Sequence, residues 1–128
     1  MAVPYIVIKQ QGPPGSRWEG EKVKFARLVS NRTVNTYELQ EKISKMSTMS
    51  PADVAGVLTA VSDLIPLELA DGNIVKLDGI GTFRVVASSG VLEDITRISG
   101  ADFNNVRLNY LPDKKLRQTL KNLRYKRK

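Results

Sequence analysis

The feature that most limits how this chain can fold is a change of hydrophobic period at Asp71-Gly72. Upstream of it, two segments carry nearly complete helix-start signals. Asn35 can cap a helix, Glu38 stands at the third helical position to close a capping box, and Val34 with Leu39 occupies the staple positions. Leu39, Ile43 and Met46 recur at spacings of four and three, which gathers them on one helical face. The pattern then repeats with Ser50 as cap, Pro51 at the first helical position, Asp53 at the third, and Met49 with Val54 as staple. Val54, Val57, Leu58, Val61, Leu64 and Ile65 form a wide apolar stripe. Pro66 is expected to bend this second helix or end it early, and Gly72 is free to take the left-handed conformation that stops it.

Downstream, the period is two. Ile74 to Leu77 reads as a short strand, Gly79-Ile80-Gly81 as a tight corner, and Thr82 to Val86 as a strand with Phe83 and Val85 opposed to Thr82 and Arg84. Ala87 to Asn105 holds turn signals at Ser88-Ser89-Gly90 and Ser99-Gly100. Val106, Leu108 and Tyr110 then alternate with Arg107 and Asn109 in a returning strand. Pro112-Asp113 opens a final helix with a narrow seam of Leu116, Leu120 and Leu123. Ahead of the helices, Val3 to Ile8 is a β-rich run with apolar residues on both faces. The loop Gly12-Pro13-Pro14-Gly15-Ser16 and the alternating Val23, Phe25 and Val29 complete a β-hairpin over residues 1–30. Trp18, in the connecting loop, is expected to cap a local cluster. The order β-β-α-α-β-β-β-α is that of an α+β protein. A length of 128 residues with 41% hydrophobic side chains leads to the expectation of one core in a single domain.

Charge is distributed unevenly. Residues 1–112 hold 12 basic and 12 acidic side chains, whereas Asp113 to Lys128 holds eight basic groups against Asp113 alone, so the whole net charge of +7 lies in the last segment. Concentrated basic charge is what a polyanion partner requires, although a solvated tail also accounts for it. No run is long and apolar enough for a membrane-spanning helix. The start of the chain lacks the features of a secretory leader, so a cytoplasmic protein is expected.

The catalytic repertoire is thin. With no Cys and no His, disulfides, thiolate nucleophiles, zinc–sulfur sites and the commonest general base are all unavailable. Gly79-Ile80-Gly81 lacks the third glycine and the following helix of a dinucleotide site. Glu93 and Asp94 are adjacent, point to opposite faces of a strand, and have only Asp102 as a third partner for a metal. No serine sits in a nucleophile elbow. The chain is therefore expected to be no enzyme, with no cofactor, no metal and no small-molecule substrate. With the leucine seam turned inward, Lys114, Lys115, Arg117, Lys121 and Arg124 fan over the outer face of the last helix, where basic groups can meet successive phosphates. The seam has no Trp or Phe anchor for a membrane surface, and no aromatic strand motif supports base stacking.

These residues resemble the HU/IHF family of bacterial histone-like, architectural DNA-binding proteins. Residues 34–123 follow that family's order of helix, capped second helix, strands, arm, strand and short basic helix. Asp71 to Val85, with Gly79-Ile80-Gly81-Thr82-Phe83, looks like the stretch leading into the family's G-F-G-T-F signature. Val106 to Leu116 is similar to its strand into the final helix. The hairpin ahead of the core looks like the divergent HU-like branch common in Bacteroidetes. On this reading, residues 1–30 are an added β-hairpin, 34–124 an HU-like core and 125–128 a basic tail, of which Lys126-Arg127-Lys128 is expected to be a disordered tether.

The resemblance implies a homodimer with intertwined helices and two β-arms that hold duplex DNA, chiefly through phosphates and shape. The arm departs from the family's pattern. It has no Arg-Asn-Pro tip, and Ser88 to Asn104 carries Glu93, Asp94 and Asp102 against Arg97. The electrostatic work is therefore expected to fall on Arg84 and Arg107 of the arm strands and on Lys114, Lys115, Arg117, Lys121 and Arg124, with Arg97 a lesser arm contact. The expected function is a nucleoid-type architectural protein with little sequence specificity. The alternatives are an HU-shaped scaffold that binds a protein partner, and an RNA-binding protein.

Overall fold

A computed structural model describes residues 1–128. The elements are β1 (Val3–Gln11), β2 (Lys22–Leu28), α1 (Thr36–Met46), α2 (Pro51–Ala70), β3 (Val75–Leu77), β4 (Gly81–Ser89), β5 (Phe103–Pro112), α3 (Lys114–Lys121) and β6 (Tyr125–Arg127). The chain divides into two compact units. One is Met1–Thr36 with Leu120–Lys128, and the other is Tyr37–Thr119.

The first unit is a three-stranded sheet in the order β2-β1-β6. The expected hairpin is present, with β1 and β2 antiparallel from Tyr5 opposite Leu28 to Gln11 opposite Lys22. The expectation of a disordered tail is corrected: Tyr125, Lys126 and Arg127 pair in parallel with Val3, Pro4 and Tyr5. Val3 N–H donates to the Arg124 carbonyl at 2.7 Å and Lys128 N–H to the Tyr5 carbonyl at 2.9 Å. The open edge of β1 offers unpaired backbone groups, and their satisfaction outweighs the weak local β signal of a Lys-Arg-rich segment. Trp18 also differs from expectation. It is 44% exposed, and the Arg17 guanidinium lies 4.2 Å over its ring, so a cation covers it in place of an apolar cluster.

The second unit holds α1, α2 and the antiparallel sheet β3-β4-β5. α1 begins one residue after Asn35, and α2 begins as its cap signals dictate, with Asp53 N–H donating to Ser50 Oγ at 3.2 Å. Pro66 does not end α2, which continues to Ala70. A turn bonded beyond the proline holds it, since Asp71 N–H donates to the Leu67 carbonyl and Gly72 N–H to the Leu69 carbonyl. Gly72 then takes φ of 84° and the helix stops. β4 and β5 pair along their whole length, from Gly81 opposite Pro112 to Ser89 opposite Phe103. The register slips near Val86 and Ser88, where β5 carries an extra residue and Asn105 adopts φ of 54°, the signature of a β-bulge.

α3 is shorter than the leucine spacing implies. It ends at Lys121, so Leu123 and Arg124 lie beyond it and the seam reduces to Leu116 and Leu120. The core is also far smaller than expected. Val54 is the one buried apolar side chain, while Leu39, Ile43, Val57 and Leu64 are 46%, 36%, 51% and 54% exposed. The accessible surface is 10973 Å². A compact monomer of this mass exposes about 6,800 Å², and two separately compact units about 8,100 Å². The apolar stripes read from the helices are thus real, and a single chain does not cover them.

Candidate nucleic-acid interface

α3 begins where β5 ends, and one side chain fixes that junction. Asp113 accepts hydrogen bonds from the Gly79 N–H at 2.7 Å and the Lys114 N–H at 2.9 Å. Its own backbone N–H donates to the Ile80 carbonyl, and its carbonyl accepts the Arg117 N–H. The Tyr110 hydroxyl donates to the same Ile80 carbonyl at 2.8 Å. These bonds tie the start of α3 to the β3–β4 corner. The Gly79 N–H foremost, then the Lys114 N–H, hold the Asp113 carboxyl below the usual carboxylate value, with the charges of Lys76 and Arg117 adding to the effect. The acidic residue that opens the basic segment is therefore a structural cap with charges grouped around it.

On α3 itself, Lys114, Arg117 and Lys121 are spaced three and four residues apart and share one stripe. Lys115 lies about 100° round the helix from Lys114, and Leu116 and Leu120, four apart, form a separate stripe. All four cations are exposed. Arg124, expected on this helix, belongs to the approach to β6, where its carbonyl is held by Val3.

The sheet brings together the two arm-strand arginines. Arg84 lies opposite Asn109, and Arg107 lies opposite Val86 two residues away, so both side chains project from the same face. The opposite face carries Phe83 and Tyr110, whose rings pack at 5.0 Å, together with Val85 and Leu108. Pairing adds a cation that sequence reading missed. Lys76 sits opposite Thr82, on the face of Arg84 and Arg107, and it acts on Asp113 at the foot of α3. Its signal in the sequence was the alternation Val75-Lys76-Leu77, which marks Lys76 as the outward residue of a short strand.

The distal segment between β4 and β5 is built differently. Asp94 Oδ1 accepts both the Thr96 N–H at 2.9 Å and the Thr96 hydroxyl at 2.6 Å. The hydroxyl bond is the larger cause holding the Asp94 carboxyl below its usual value. Asp102 accepts the Ser99 N–H at 2.7 Å at the start of a single 3-10 turn, Gly100–Asp102. Asp94 and Asp102 thus close turns of the arm, and Arg97 lies between the two in sequence. Val91 and Ile95 stand 99% and 74% exposed there.

The arrangement of Lys76, Arg84, Arg107 and α3 can bind anions. Long cationic side chains on paired strands and a pinned helix present several charges to a repeating polyanion. No helix is long and apolar enough to cross a membrane.

Comparison with known proteins agrees with this architecture. Among curated proteins no sequence matches the chain. Its fold is similar to that of a protein from Bacteroides vulgatus ATCC 8482 described as a bacterial DNA-binding protein, with a TM-score of 0.68 at 12% identity. That match covers 98% of this chain and 48% of the other, so the chain spans about half the length of that relative. It is also similar to a variant of HU from Thermotoga maritima, with a TM-score of 0.51 at 21% identity over 68% of this chain and 99% of that one. At these identities the likeness is one of fold. The family model HU-HIG, an HU domain fused to wHTH, Ig or glycine-rich motifs, matches residues 1–127, and the chain belongs to this HU-like family.

Proposed function

We propose that this chain is a non-enzymatic, architectural DNA-binding protein that acts as a homodimer and holds duplex DNA through its phosphates with little sequence specificity. The observation that carries the reading is the grouping of Lys76, Arg84 and Arg107 on one sheet face, with α3 fastened to the same corner by Asp113. Lys114, Lys115, Arg117 and Lys121 supply the helix contacts. Arg124 and Arg97 are lesser contributors, since the first lies outside the helix and the second stands among acidic turns. The family likeness supports a DNA partner, and cations carried on paired strands and a short helix with no recognition-helix motif favour shape and charge over sequence. On this reading the protein works in the cytoplasm, associated with the nucleoid.

The homodimer rests on the uncovered apolar surface of the second unit. Leu39, Val57, Leu64, Leu67 and Leu108 are each at least 46% exposed. An open concavity between α2 and β3, lined by Val61, Leu64, Ile65, Val75 and Leu77 with Glu68, leaves apolar surface uncovered. A second copy offers the same stripes in return, as a two-fold interface requires.

The test is fluorescence anisotropy with a labelled random-sequence duplex at several salt concentrations. Neutralising about 6–8 phosphates predicts a slope of log affinity against log salt of roughly −5 to −7. Replacing Lys114, Lys115, Arg117 and Lys121 together with Gln should flatten that slope and leave the fold intact. Sedimentation should give twice the chain mass. Folded protein that binds no duplex at low salt refutes the DNA reading, and a monomer at micromolar concentration refutes the dimer.

A further inference from the structure

The added sheet carries a basic surface that the linear charge count conceals. Up to Pro112 the chain is electrically neutral, yet the register of β1 and β2 sorts those charges by face. Lys9 lies directly opposite Lys24, and Lys22 lies opposite Gln11, two positions farther along the same face. All three lysines are exposed. No carboxylate in the two strands shares their face. Glu21, next in sequence to Lys22, lies outside the paired strands, and Glu19 in the loop turns back to accept the Gly15 N–H at 3.0 Å. The other face of the same pairing carries Ile6, Ile8, Val23 and Phe25.

Like charges directly opposite on a strand pair destabilise it, and nothing on this face offsets the Lys9–Lys24 pair. Such a cost is tolerated where an anion neutralises the cluster. We infer that Lys9, Lys22 and Lys24 form a second phosphate-binding surface, through which the added sheet itself engages duplex DNA. This rests on the DNA-binding function proposed above and extends it to the first unit.

Three details favour a nucleic-acid backbone as the occupant. The cluster is composed of lysines, point charges on flexible stems that suit phosphates better than planar recognition. Lys22 and Lys24 are separated by about 6.7 Å along their strand, close to two steps of the ~3.4 Å that each phosphate advances along one DNA strand. No aromatic side chain stands among the three lysines to stack on a base. The surface would therefore add length and salt sensitivity to the complex without adding sequence preference.

The experiment uses the full chain and a 30-base-pair random-sequence duplex, comparing the native protein with the Lys9→Gln, Lys22→Gln, Lys24→Gln triple variant. The variant removes a like-charge pair from a solvent-facing strand, so its thermal midpoint should equal or exceed that of the native protein. The expected result is a salt slope less negative by about 3 for each sheet engaged and affinity at least about tenfold weaker at 0.1 M salt. If the native protein binds and the triple variant matches it in slope and affinity, the inference is overturned while the proposed function stands, and the face is left to an acidic protein surface. If the native chain binds no duplex, the proposed function and this inference both fail.

Discussion

Gly81 is the position where a single added methyl group tests the account of the corner most directly. It is buried, its φ is 155°, and a Cβ built there meets the Leu111 backbone oxygen and, at 2.6 Å, the Tyr110 Cε1 atom. Neither neighbour is a free end. The Leu111 carbonyl belongs to β5, and the Tyr110 ring is held by its hydroxyl bond to Ile80 at 2.8 Å and by packing on Phe83 at 5.0 Å. Gly81→Ala must therefore push β4 and β5 apart at the end that positions α3. Overpacking of this kind costs about 1–3 kcal/mol, and an immobile neighbour places Gly81→Ala at about 2–3 kcal/mol. For a unit of this size that is a fall in Tm of roughly 10–20 °C. The assay is a thermal melt at one fixed protein concentration, because midpoints of oligomers depend on concentration. Gly90→Ala is the control, since a Cβ there meets nothing within 4 Å. A Gly81→Ala midpoint within about 2 °C of the native protein would refute the reasoning that this glycine exists to let the strands close.

Further outcomes follow from other parts of the same unit. Ser50→Ala removes the acceptor for the Asp53 N–H and should destabilise by about 1 kcal/mol in a denaturant titration. Pro66→Ala restores a backbone donor inside α2 and should raise stability by about 1–3 kcal/mol, unchanged stability being evidence that the helix has already adapted to the ring. The Asp113 carboxyl is held below its usual value of 3.8, so its contribution is present above about pH 4 and is lost as pH falls through the depressed folded value. Melts between pH 6 and 2 should show this loss, and Asp113→Asn should diminish it.

Local structure was largely legible in the sequence because its causes are local. Ser50, Pro51 and Asp53 set the start of α2 within one turn, and Gly72 sets its end through its own backbone freedom. Alternation placed Arg84 and Arg107 on strands, and the resemblance carried by Gly79 to Phe83 agrees with the family found. An early end at Pro66 does not occur, because the rule about the proline alone does not weigh the hydrogen-bonded turn that follows it.

What tertiary structure decided was pairing. Residues 125–127 hold no strong β signal of their own, and they become a strand only because β1 presents an open edge. Register assigned Lys76 to the face of Arg84 and Arg107, and it gathered Lys9, Lys22 and Lys24 on one face of β1 and β2. Sequence alone determined which residues form helices and strands, and that the chain carries excess positive charge at its end. Only the fold decided which charges stand together, because a strand's faces are fixed by its own alternation but the neighbours on each face are chosen by hydrogen bonding to distant segments.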